Sequence, residues 1–147
     1  MSAEVMGDSL TGVGTVCREW AMDYTMVYKC LPLVRLHVRR KLVLWGWPGD
    51  QEEATLIASE LVTTAISHGR VVGHTMRVRL ALLDDGALLI DVSDPVPAFP
   101  DFNAEDPAGA EDERGRGLEL VRGLGAELAW FLRVDGGKTV RAHLGGR

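Results

Sequence analysis

Between Leu31 and Gly69 apolar residues recur every three or four positions, and between Met76 and Val92 they recur every second one. Two helical patterns in succession followed by paired alternating runs leave few architectures open. Leu31, Val34, Val38, Leu42 and Trp45 mark a first helix with basic outer positions; Pro32 suits its first turn, and Gly46 with Pro48 ends it. Asp50 offers an N-cap with Glu53 three residues on as a capping-box partner, so a second helix runs to about His68 and stops at Gly69. Met76, Val78, Leu80 and Leu82 alternate with Arg77, Arg79 and Ala81, a strand with one polar face. Asp84-Asp85-Gly86 turns the chain, Leu88, Ile90 and Val92 return it to Asp94, and Pro95 stops it.

The flanks fill in the order. Residues 1–14 read as a mobile tail and Thr15–Met26 as a first strand, with residues 15–147 as one domain. From Pro95 to Arg114 the chain has no period, which predicts a lid or binding loop at about 95–114. Leu118, Val121, Leu124 and Leu128 predict a third helix after Gly115-Arg116-Gly117. Ala129–Val134 and Lys138–Leu144 predict a hairpin around Asp135-Gly136-Gly137. The expected fold class is α+β: a two-layer sandwich with a mostly antiparallel mixed sheet and helices on one face, with no βαβ alternation required.

Composition removes several function classes. A chain of 147 residues with 46% hydrophobic and 25% charged content reads as soluble and globular. A net charge of −5 argues against direct nucleic-acid binding, and Arg35 to Lys41 reads as one solvated helix face. Cys17 and Cys30 make neither a disulfide framework nor a metal cluster. No leader or spanning segment is legible, so the expectation is a cytoplasmic protein without membrane contact.

Candidate chemistry sits first in Ser59-Glu60-Leu61-Val62-Thr63-Thr64-Ala65-Ile66-Ser67-His68-Gly69. Ile57, Ala58, Leu61, Val62 and Ala65 form one apolar arc, and Glu60 and Thr64 fall together on its margin, about 40° apart at 100° per residue. A carboxylate on that edge can be held against a cleft while its helix stays packed. Gly115-x-Gly117 is a phosphate candidate because it precedes a helix, whose free N–H groups favour an anion. Gly137-Lys138-Thr139 is no P-loop: the first glycine of that motif would fall at Leu132, and the segment joins two strands. His37, His68, His74 and His143 show no metal-ligand spacing.

Taken in order, Glu60-Leu61-Val62-Thr63-Thr64-Ala65, strand-ending Asp94, a lid, Gly115-Arg116-Gly117-Leu118 and Gly137-Lys138-Thr139-Val140 resemble the GHKL (Bergerat-fold) ATP-binding superfamily. The likeness is greatest to the anti-sigma-factor serine kinases and the stand-alone ATP-binding regulators of actinomycetes, over roughly residues 17–144. It implies ATP or ADP and Mg²⁺ as cofactors, and a sigma factor and a serine-containing anti-sigma antagonist as protein partners. It also allows a homodimer through the apolar first helix. Glu60 matches the general base toward the group attacking the γ-phosphate, and Thr64 stands where the family has a Mg²⁺-binding asparagine. Asp94 matches the aspartate that accepts the adenine amine, and Thr139 a threonine adjoining that contact. Gly115, Gly117 and Leu118 match the second glycine box, and Arg114 the γ-phosphate donor of the lid. Two departures are plain: a hydroxyl replaces the carboxamide at Thr64, and Pro95-Val96-Pro97 follows Asp94 where the family has glycines. The two functions implied are an ATP-dependent serine kinase of an antagonist, and a nucleotide-binding interaction module of the same fold without catalysis.

Overall fold

This computed structural model describes residues 14–99 and 113–145, with the side chains of 113–116 outside the description. The expected tail, apart from Gly14, and lid residues 100–112 lie outside the described residues. The elements in chain order are β1 (Val16–Thr25), α1 (Leu31–Trp45), α2 (Gln51–Gly69), β2 (Thr75–Leu83), β3 (Leu88–Asp94), α3 (Glu113–Gly123), β4 (Glu127–Leu132) and β5 (Lys138–Leu144). The strands form one five-stranded sheet in the order β1-β2-β3-β5-β4, antiparallel at every pairing. This is the expected α+β architecture.

Alternation decides which face of the sheet is covered. Tyr24, Met76, Val78, Leu80, Leu88, Ile90, Val92, Val140 and Ala142 are buried in one core with the helices. Val34, Val38 and Leu42 supply the buried stripe of α1. Gly46 closes that helix in the left-handed region at φ 66°, a conformation a side chain would resist, and Trp47 N–H donates to Leu42 O at 3.1 Å. Asp50 caps α2, its Oδ1 accepting from Glu53 N–H at 3.0 Å. Because α2 packs against α1, α3 and β3, it is buried beyond its apolar arc, at Thr55, Ser59 and Thr64 as well.

One boundary differs from expectation. The third helix starts at Glu113 and ends at Gly123, so Gly115 and Gly117 lie inside its first turns rather than ahead of it. Leu124 and Leu128 are not in the helix. Gly125, at φ 92°, turns the chain, and Leu128 belongs to β4, which starts earlier than Ala129. Leu124 and Leu128 satisfy a helical spacing by coincidence, while Leu128, Trp130 and Leu132 share the parity of a strand.

Candidate functional site: a buried carboxylate at the end of β3

Asp94 is the last residue of β3, and its Cα partner across the sheet is Lys138, the first residue of β5. Both side chains are buried, at 0% exposure for Asp94 and 1% for Lys138. Asp94 Oδ1 accepts from Val96 N–H at 2.8 Å and from Lys138 Nζ at 3.1 Å. Oδ2 lies 3.0 Å from the same Nζ, yet among the described residues it accepts no hydrogen bond. Burial pushes the Asp94 carboxyl above its ordinary range, opposed by the Val96 N–H, the Lys138 ammonium and His68.

One glycine leaves room for this carboxylate and another for the backbone that carries it. A Cβ on Gly69, at the end of α2, would lie 2.6 Å from Asp94 Oδ2. One on Gly137, in the β4–β5 turn at φ 84°, would run into the Asp94 carbonyl oxygen. Beyond the carboxylate stands an aromatic wall. The Phe99 ring lies 5.8 Å from that of His68 and 6.0 Å from that of Trp130, with Lys138 Nζ 5.2 Å from its centroid.

Glu60 and Thr64 are brought together on α2, beside the start of α3. A Cβ on Gly117 would lie 2.7 Å from Glu60 Oε1 and 3.8 Å from Thr64 Oγ1, so the glycine lets the helix backbone come up to both. Glu60 is half-buried, and burial pushes its carboxyl up, partly offset by the Arg35 guanidinium. Thr64 is buried, and Leu118 belongs to the core. Arg114 and Gly115 fall in the first turn of α3, where the side chains are outside the description.

Thr139 is placed differently from what the resemblance implies. Its hydroxyl bonds Ser93 Oγ at 2.7 Å on the face of the sheet turned away from the helices. The side chain that adjoins Asp94 is Lys138. Strand parity explains the shift: Val140 and Ala142 point to the core, so Lys138 does too, and Thr139 and Arg141 point away. That parity was present in the sequence. His68, Phe99 and Trp130 carried no comparable signal, since nothing local sets an aromatic residue after Pro95 against the end of α2.

The residues from Cys30 onward match a family model. Residues 30–144 fit the histidine kinase-like ATPase domain. The chain belongs to that family. Thirteen chains of solved structures also match, among them the histidine kinase domain of the Erythrobacter litoralis EL346 blue-light activated histidine kinase. That likeness has 25% identity and a TM-score of 0.44 over 64% of this chain, which spans 43% of the other. A search of curated proteins finds none that matches.

The donor set fits the nucleotide the family implies better than it fits the metal. A buried carboxylate oxygen that accepts no hydrogen bond among the described residues is what an exocyclic amine needs. For Mg²⁺, no group of three His, Cys, Asp or Glu side chains converges among the described residues. Thr64 and Glu60 would leave most of an octahedral shell to phosphate and water. No helix among the described residues is long and apolar enough to cross a membrane.

Proposed function

We propose that this chain is an ATP-binding regulator that acts by docking on protein partners, with slow or no transfer of the γ-phosphate. The observation that carries the reading is Asp94 Oδ2, a carboxylate oxygen fully buried at a strand end without a hydrogen bond among the described residues. Ion-paired with Lys138 at 3.0 Å but accepting no hydrogen bond, this oxygen is incompletely satisfied, and a base amine donating to it supplies the bond. Family membership supports ATP or ADP as the ligand. The resemblance to anti-sigma regulators supports a sigma factor and a serine-containing antagonist as the partners. The outward side chains of α1, Leu33, Leu36, Val43 and Leu44, are all exposed and suit a protein surface, including a second copy of the chain.

A second reading, a serine kinase of the antagonist, is favoured by Glu60. Burial pushes its carboxyl above the ordinary carboxylate range, and it flanks the same glycine as Thr64. Thr64 weighs against it, since a hydroxyl replaces a carboxamide at the metal position. Titration calorimetry with ATP and ADP, with and without Mg²⁺, tests the binding step. Wild type is expected to bind both, and Asp94→Asn to bind at least tenfold more weakly, because an amide turned to keep Lys138 offers an N–H where the base amine needs an acceptor. Equal binding by the two proteins would remove Asp94 from the site.

A further inference from the structure

We propose that Lys138 is a specificity-determining residue of this site, making it accept 6-oxopurine as well as 6-aminopurine nucleotides. The inference rests on the nucleotide-binding reading above and deepens it. A carboxylate alone rejects guanine, because it only accepts hydrogen bonds and guanine presents a carbonyl oxygen at position 6. Here the carboxylate is not alone. Lys138 Nζ donates to Asp94 Oδ1 and to the Val96 carbonyl, each at 3.1 Å. An ammonium has three N–H groups, so one is left after these bonds. Among the described residues no further hydrogen bond from Nζ is formed, and the ammonium lies over the Phe99 ring, 5.2 Å from its centroid.

Oδ1 already accepts twice, from Val96 N–H and from Lys138, while Oδ2, ion-paired with the same Nζ, accepts no hydrogen bond among the described residues. The pair therefore offers one acceptor and one donor side by side, with Oδ2 and Nζ 3.0 Å apart. The Watson–Crick edge of adenine brings an amine hydrogen next to the N1 acceptor. That of guanine or hypoxanthine brings the N1 hydrogen next to the O6 acceptor. Each edge is one donor beside one acceptor, and each is complementary to Asp94 and Lys138 together. The ammonium removes the repulsion that a lone carboxylate would exert on O6. A carbonyl oxygen or ring nitrogen reaching Nζ replaces the cation–π contact with Phe99, so the base enters where that ring now covers the donor.

Binding of ADP, GDP and IDP to the wild type and to Lys138→Met, measured by calorimetry, tests this. The wild type is expected to bind GDP and IDP within tenfold of ADP. Lys138→Met, which keeps the length of the stem without the donor, is expected to raise the ADP-over-GDP preference at least tenfold. A wild type that prefers ADP by more than tenfold overturns the role of Lys138 while leaving nucleotide binding intact, as does an unchanged preference in the variant. Binding of none of the three overturns the nucleotide reading itself and this inference with it. The wild-type series decides the matter even where Lys138→Met does not fold.

Discussion

Glu60 and Thr64 lie a single helical turn apart on α2, yet burial treats them differently. Thr64 is 4% exposed, and its hydroxyl reaches one atom less far than a carboxamide would. Glu60 is half-buried with a carboxyl raised by desolvation, which suits a proton acceptor. Loss of one metal-directed oxygen in the transition state, at about 3 kcal/mol, slows phosphoryl transfer on the order of a hundredfold. Wild type is therefore expected to transfer phosphate weakly to a serine-containing antagonist, and Thr64→Asn to raise Mg²⁺-dependent ATP affinity or turnover. Glu60→Ala is expected to abolish transfer while leaving affinity largely intact, since a base acts on the chemical step. Robust wild-type transfer, or weaker Mg²⁺–ATP binding by Thr64→Asn, would contradict this account. The pairing of Glu60 with Thr64 was legible from helical spacing, whereas Asp94 stood out only through the family resemblance. The identity of the residue beside Asp94 was hidden because the glycine-lysine-threonine string drew attention to the threonine, whereas alternation along β5 turns Lys138 inward.

The elements that carry the site were legible wherever period and punctuation agreed. Leu31, Pro32 and Gly46 bound α1, and Asp50 caps α2. They were not legible where two periods overlapped, as at Leu124 and Leu128, because positions four apart satisfy a helix and a strand alike. The end of α2 shows how an element's local preference yields to the site. Gly69 is helical, and alanine there would favour the helix by about 0.8–1 kcal/mol. Its Cβ, however, would stand 2.6 Å from Asp94 Oδ2, against a carboxylate already held by Val96 and Lys138. The carboxylate cannot retreat without breaking those bonds, so the clash outweighs the propensity. Gly69→Ala is expected to lower the thermal midpoint and to weaken ADP binding at least tenfold. A variant more stable than wild type with unchanged affinity would show that the carboxylate moves freely.

Across the whole molecule the two faces of the sheet divide the work. One face meets the helices and ends in the Asp94 site. The other carries Asp91, 4% exposed at the centre of the sheet, with Arg79 and Arg141 beside it on neighbouring strands. Arg79 Nη1 lies 3.0 Å from Oδ2, and Arg141 donates through Nε at 2.8 Å and Nη2 at 2.9 Å. Glu19 of β1 extends the network, 2.6 Å from Arg79 Nε. One carboxylate thus ties the three central strands, and removing it leaves two guanidinium groups poorly solvated. Asp91→Ala is expected to cost about 3 kcal/mol, near the low end for a broken buried pair because both arginines keep some contact with water. For a chain of this size that lowers the thermal midpoint on the order of 10 °C. The fold holds the Asp94 site from the opposite face through Gly69, Gly137 and Lys138, none of which touches this network. Folded Asp91→Ala is therefore expected to bind ADP with wild-type affinity below its transition. A loss of affinity without a loss of stability would mean instead that the outer face sets the geometry of the site.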